Sequence, residues 1–217
     1  MFDTISPTYD RVNRILSLGM DQSWRRKAAQ FLPQGSLRLL DLATGTGDQI
    51  AALLPTKRIS SAVGIDLSAE MLSIAKKKLG SEPHISFQRA DAEKLPFENH
   101  SFDAATFSFG IRNVPSPLRS LREVHRVLKP GGRALILEFS LPPFPIRPFC
   151  LFYLRHILPH LGGALSRKFS AYRYLNETIE TFPSGASFRS LMEEAGFKAA
   201  SHPMALGAVT LYVGEKR

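Results

Sequence analysis

Short runs of aliphatic and β-branched residues alternate along the chain with segments whose apolar positions recur every three or four residues. That alternation marks a parallel sheet with crossover helices. Strands are predicted at Leu37–Leu42, Ser61–Asp66, Ile85–Gln88, Phe102–Phe107 and Arg133–Phe139. Between them, Ala69–Leu79 carries the apolar stripe Met71, Leu72, Ala75, Leu79, and Leu118–Leu128 reads as a helix stopped by Lys129-Pro130-Gly131-Gly132. A helix near Phe188–Ala195 ends at Gly196, and Phe197–Pro203 with Ala208–Gly214 forms a closing antiparallel pair. Phe2–Leu32 has a helical pattern broken at Leu18-Gly19. The expected architecture is a single α/β domain over residues 1–217, a Rossmann-like, mostly parallel seven-stranded sheet with helices on both faces. Within it, residues 1–35 are expected to form a helical lid and residues 141–186 an apolar, aromatic insertion on the substrate side.

Composition narrows the class. Hydrophobic residues make up 44% of the 217 and charged residues 22%, which excludes a disordered chain. The single cysteine, Cys150, excludes a disulfide framework and a cysteine-based zinc site, and suits a reducing cytoplasm. No metal is expected. The N-terminus lacks a basic segment followed by an apolar run, so no secretory signal is expected. The longest apolar-rich region, Leu141–Leu161, is interrupted by prolines and by Arg147 and Arg155, so it does not read as a membrane span. A net charge of +9 raises nucleic acid and anionic membrane surfaces as partners. Lys76-Lys77-Lys78 lies opposite its helix's apolar stripe and reads as a solvated face. No RNA-binding aromatic motif or arginine-rich tail is present, so no nucleic-acid partner is expected.

The chemistry begins after the first strand, at Asp41-Leu42-Ala43-Thr44-Gly45-Thr46-Gly47-Asp48. Gly45 and Gly47 permit a sharp turn and close approach of a ligand. A dinucleotide fingerprint would place a third glycine where Ile50 stands. Asp41 and Asp48 would repel a pyrophosphate, but suit a cofactor with a positive sulfonium and a positive amino group. Asp66 ends the second strand where a carboxylate reaches both ribose hydroxyls, and Asp91-Ala92 is placed for adenine. Taken singly, Asp48 could be a helix cap and Asp66 a strand end. In this order and spacing they read as a site for a nucleoside joined to an amino acid.

On these residues the chain resembles the class I methyltransferases. More narrowly, it is similar over nearly its full length to the ubiquinone/menaquinone biosynthesis C-methyltransferase family. Tyr9-Asp10-Arg11-Val12-Asn13 through Ser17 to Trp24 matches that family's first signature, with Val12 where Met is usual and Asp21 where His is usual. The later matches are Phe107–Val114, Arg126–Gly132 through Glu138-Phe139-Ser140, and Tyr174-Leu175 through Phe182-Pro183. The resemblance implies S-adenosyl-L-methionine as cofactor, held by Thr46, Asp66, Asp91, Ala92 and Ser108. It also implies carbon methylation of a polyprenylated quinol, demethylmenaquinol to menaquinol, with the benzoquinol of the ubiquinone pathway as the alternative.

A quinol ring carbon becomes nucleophilic when a hydroxyl proton is lost. Arg112 is therefore expected to stabilise the developing oxyanion or to order a water that takes the proton. Asn113 is expected to orient the quinol oxygen. The competing role for Arg112 is an ion pair with Glu138 or Asp10, and for Asn113 a turn cap. His125 reads as structural. Phe144–Leu161 is expected to give the prenyl tail an apolar entrance, with Arg147, Arg155, Arg167 and Lys168 near lipid headgroups. An ordinary packed helix or a homodimer face is the alternative. The rival functions are a tRNA, rRNA or small-molecule methyltransferase and a non-catalytic cofactor-binding module. The segment Phe109–Asn113 lacks the Asn/Asp-Pro-Pro-aromatic pattern of exocyclic-amine methylation.

Overall fold

The computed structural model of the chain describes residues 14, 17, 19–157 and 176–217. The expectations placed on Tyr9, Asp10, Val12, Arg167, Lys168, Tyr174 and Leu175 lie outside those residues. The strands are β1 Leu37–Leu42, β2 Ile59–Asp66, β3 Ile85–Arg89, β4 Phe102–Ser108, β5 Leu128–Phe139, β6 Phe197–Met204 and β7 Val209–Lys216. They form a seven-stranded sheet in the order β3-β2-β1-β4-β5-β7-β6. The first five run parallel, and β7 lies antiparallel between β5 and β6. The helices are α1 Met20–Lys27, α2 Asp48–Leu53, α3 Ala69–Leu79, α4 Pro117–Val127, α5 Arg147–Phe152 and α6 Ala186–Glu194.

The pleat divides the core. In β1, Leu37 and Leu39 face one side, with Ile50 and Leu53 of α2, while Leu40 and Leu42 face the other, with Leu121 and Val124 of α4. β5 repeats the alternation: Leu135 and Leu137 join the first cluster, Ala134 and Ile136 the second. Strands apolar on both faces require cover on both faces, which the crossover helices provide. Ser68 and Ser116 cap α3 and α4 by accepting the N–H groups of Met71 (3.2 Å) and Arg119 (3.4 Å).

Several boundaries differ from the sequence pattern, among them the start of the second strand, at Ile59 rather than Ser61. The fifth strand begins at Leu128 rather than Arg133. Leu128 already pairs with Phe102, Lys129–Gly132 form an excursion with Gly131 at φ 76°, and pairing resumes at Arg133 with Ala104. The last helix begins at Ala186, two residues early. The N-terminal helical pattern breaks at Gly19, at φ 75°, where the sequence places the break, and among the described residues continues as α1 and the 3-10 turn Ala28–Phe31. Among the described residues no helix is long and apolar enough to cross a membrane.

β1 and β4 are neighbours although β2 and β3 lie on one side and β5 on the other. Connections thus leave this pair in opposite directions and open a crevice at their carboxyl ends, where ligands bind in sheets of this kind.

Candidate active site

A cavity of about 230 Å³ occupies that crevice, bounded by the ends of β1, β2 and β4 and the turn after β3. Thr46, Asp66, Asp91, Ala92, Ser108 and Asn113 all reach it, as does Gly45. Gly47 and Arg112 do not. At Gly45 (φ 55°) an added Cβ would find nothing within 4 Å, so its role is conformational, leaving the backbone open toward the cavity. At Gly47 (φ 83°) a Cβ would stand 3.0 Å from Leu79 Cδ1, so this glycine lets the loop pack on α3.

The acids are held in different ways. Asp41 is 1% exposed and accepts hydrogen bonds from the hydroxyls of Thr44 and Thr106, each at 2.6 Å. Burial raises its pKa from 3.8 to about 6; the two hydroxyls and the nearby Arg25 oppose the rise, and Asp66 adds to it. Asp66 accepts the N–H groups of Gly45 and Ser68, both at 2.9 Å, which fastens the end of β2 to the glycine loop. Asp48 is paired with Lys78 of α3 and accepts from Gln22 Nε2 at 3.4 Å. Of the lysine run expected to be a solvated face, Lys76 and Lys77 are exposed, but Lys78 reaches the cofactor loop. Asp91 is exposed and accepts the Glu93 N–H at 2.9 Å, while Ala92 beside it is buried.

Two residues outside the sequence motif organise the wall. Gln49 is 1% exposed; its Oε1 accepts from the Ser108 hydroxyl at 2.9 Å and its Nε2 donates to the Arg25 carbonyl at 3.3 Å. Arg25 itself lines the cavity. Neither announces itself in the sequence: Gln49 stands where apolar periodicity is mute, and Arg25 follows the Trp24 that ends a signature.

The loop after β4 turns through Phe109, at φ 57° an uncommon conformation for an aromatic residue, and then through the 3-10 turn Ile111–Asn113. This turn sends Arg112 and Asn113 apart. Arg112 Nη1 donates to Glu138 Oε1 and to the Phe109 carbonyl, both at 2.6 Å, in a pair whose side chains are 6% and 0% exposed. Burial raises the Glu138 pKa, against the pull of Arg112. Of the two roles considered for Arg112, the ion pair with Glu138 is the one present. Asn113 lines the cavity, and its Oδ1 is buried without a hydrogen-bond partner. His125 packs edge-on against Phe197 at 5.0 Å, as a structural histidine should.

This donor set fits the cofactor. Four carboxylates surround a nucleoside-sized space and favour a cation, and Asp66 and Asp91-Ala92 stand in the order that ribose and adenine require. The sheet and this site together define a class I S-adenosylmethionine-dependent methyltransferase. The fold agrees with an S-adenosylmethionine-dependent methyltransferase of Thermotoga maritima, at TM-score 0.68 and 23% identity over 100% of this chain and 98% of that one. It agrees likewise with a chain of the Haloferax volcanii complex between the Trm112 methyltransferase activator and a methyltransferase, at TM-score 0.74 and 20% identity over 99% and 97%.

Residues 1–216 match the ubiE/COQ5 methyltransferase family, and the chain belongs to it. Among its relatives, the ubiquinone/menaquinone biosynthesis C-methyltransferase of Geotalea daltonii is 47% identical over 100% of this chain and 94% of its own. The demethylmenaquinone methyltransferase of Thermus thermophilus is 42% identical over 100% of both.

Proposed function

We propose that the protein transfers the methyl group of S-adenosylmethionine to a ring carbon of a polyprenylated quinol, converting demethylmenaquinol to menaquinol. The carrying observation is full-length similarity to demethylmenaquinone methyltransferases, combined with a cavity wall that suits a quinol. That wall is apolar at Phe109, Val114 and Pro115 and carries one buried, unpartnered amide oxygen, on Asn113. The benzoquinol of ubiquinone biosynthesis is the second reading, supported by relatives named for both quinones.

The cofactor supplies an electrophilic methyl group. The protein must hold the ring carbon in line with it and favour loss of a quinol hydroxyl proton. Asn113, on the cavity wall, hydrogen-bonds the quinol oxygen and fixes the ring's rotation, which takes a small turn of its amide because Oδ1 itself is buried. Arg112, clamped by Glu138 and the Phe109 carbonyl, holds the strained loop in place and leaves a positive charge behind the site where oxyanion character develops. Asp41 and Asp48 favour the cofactor's cationic groups.

The exposed apolar side chains of α5, Phe149 and Phe152, together with Phe144, form a face for the membrane that delivers the prenyl tail. The alternative occupant of that face is a second copy of the chain. Incubation with methyl-labelled cofactor and a panel of demethylated naphthoquinol, benzoquinol and RNA tests the assignment. Label is expected in the naphthoquinol. Label in RNA and in neither quinol overturns it.

A further inference from the structure

The cavity carries a charge that the expected cofactor contacts leave unexplained. Asp41, Asp48, Asp66 and Asp91 line it, and among the described residues that do so Arg25 is the one cation. Its Nε is buried and finds no hydrogen-bond partner among the described residues, so the guanidinium is not neutralised by a hydrogen-bonded carboxylate at that nitrogen. Its guanidinium carbon lies 5.2 Å from the centroid of the Phe109 ring, and its charge acts on Asp41. The carbonyl of the same residue is held by Gln49, which also holds Ser108, so the arginine's backbone is tied to the cofactor wall.

The cofactor has three charged groups. The sulfonium and ammonium suit the carboxylates, but the α-carboxylate would be repelled by all four. We propose that Arg25 is the residue that receives the α-carboxylate of S-adenosylmethionine. A guanidinium offers a carboxylate several donors in a planar fork, and Arg25 is the residue on the cavity wall that carries one. The cation–π contact with Phe109 holds the guanidinium beside the cavity before the ligand arrives, so less freedom is lost on binding. Asp41 and Arg25 interact through charge alone, with the Asp41 oxygens turned to the hydroxyls of Thr44 and Thr106, so the guanidinium is left able to meet a second carboxylate.

The carboxylate is present both in the methyl donor and in the thioether that remains after transfer. Arg25 therefore strengthens both equally, which lowers KM and leaves the chemical step unchanged. The inference rests on the cofactor assignment and is independent of the quinol, so it is tested by binding alone. The chain's one tryptophan, Trp24, adjoins Arg25 and gives a fluorescence readout.

The test is a cycle of ligands against Arg25→Met, which keeps a flexible apolar stem against Phe109. S-adenosylmethionine and S-adenosylhomocysteine are expected to bind the variant about 10- to 100-fold more weakly. Methylthioadenosine, which has no amino-acid portion, is expected to bind both proteins within about twofold. Decarboxylated S-adenosylmethionine should bind the unaltered protein about as weakly as the intact cofactor binds the variant. Arg25→Lys should restore part of the loss, because an ammonium keeps the charge and loses the fork. Equal weakening of methylthioadenosine would make Arg25 a shaper of the cavity and overturn the assignment. Equal affinity of the unaltered protein for the intact and decarboxylated cofactors would overturn it without any variant.

Discussion

Asp41 links the cofactor to pH. Its folded pKa of about 6 exceeds the ordinary 3.8, so the stability it contributes is fully present below pH 3.8 and is lost as pH rises through about 6. Cofactor binding runs the other way, because a cation in the cavity favours the ionised carboxylate. Affinity is expected to fall below pH 6, approaching about tenfold per pH unit, and calorimetry near pH 6 should detect release of about half a proton. Asp41→Asn should flatten that profile. The Arg112–Glu138 pair makes a different prediction, since removing one partner strands a buried charge. Glu138→Ala should cost about 3–5 kcal/mol in denaturant unfolding, and Arg112→Met combined with Glu138→Met markedly less than the sum of the two. If Arg112 supports the oxyanion as proposed, the Arg112→Met protein, still binding cofactor, should lose turnover. Full turnover by that protein would assign the pair to stability alone.

The elements that position these residues were legible in the sequence to different degrees. β1 and the stripe of α3 could be read directly, because a two-sided pleat and a 3.6-residue period leave plain marks. The start of β5 could not, because a Lys-Pro-Gly-Gly turn looks the same whether it follows a helix or sits within a strand. The glycine loop and its acids were visible as a motif, yet the separate duties of Gly45 and Gly47 depend on what stands across from each. Periodicity cannot say which of two adjacent residues in a 3-10 turn faces the cavity, so the sequence placed Arg112 and Asn113 together at the site where the turn brings only Asn113 to the cavity wall. Gly47→Ala follows from that packing. An alanine at φ 83° whose Cβ meets Leu79 at 3.0 Å should cost about 1–2 kcal/mol, measurable by urea unfolding, while Gly45→Ala should pay only the conformational part.

At the scale of the whole molecule, the apolar side chains fall into two sets. One fills the two clusters that sandwich the sheet, and the other stands in solvent at Phe144 (84% exposed), Phe149 (77%) and Phe152 (60%). The sequence pattern suggests an apolar entrance for the prenyl tail; α5 turns these rings outward, and Leu154 of the following turn is buried against Ile179. Arg147 beside them is exposed, whereas Arg155 is paired with Glu180 at 3.0 Å and offers less to an anionic surface. With a net charge of +9, the protein should bind vesicles containing anionic lipid at low ionic strength and release from them as salt shortens the Debye length. A basic surface alone predicts the same salt dependence, so the phenylalanines decide the matter. Phe149→Ser with Phe152→Ser leaves the charge unchanged and removes about 1.5–3 kcal/mol of apolar burial per ring that reaches the hydrocarbon boundary. Vesicle affinity should therefore fall at least tenfold at constant salt, with little change in melting temperature because both rings are mostly exposed in the free protein. Retained vesicle binding by that variant would leave charge as the whole attraction. A dimer in sedimentation that the same substitutions abolish, without any vesicle binding, would give the face to a second copy instead.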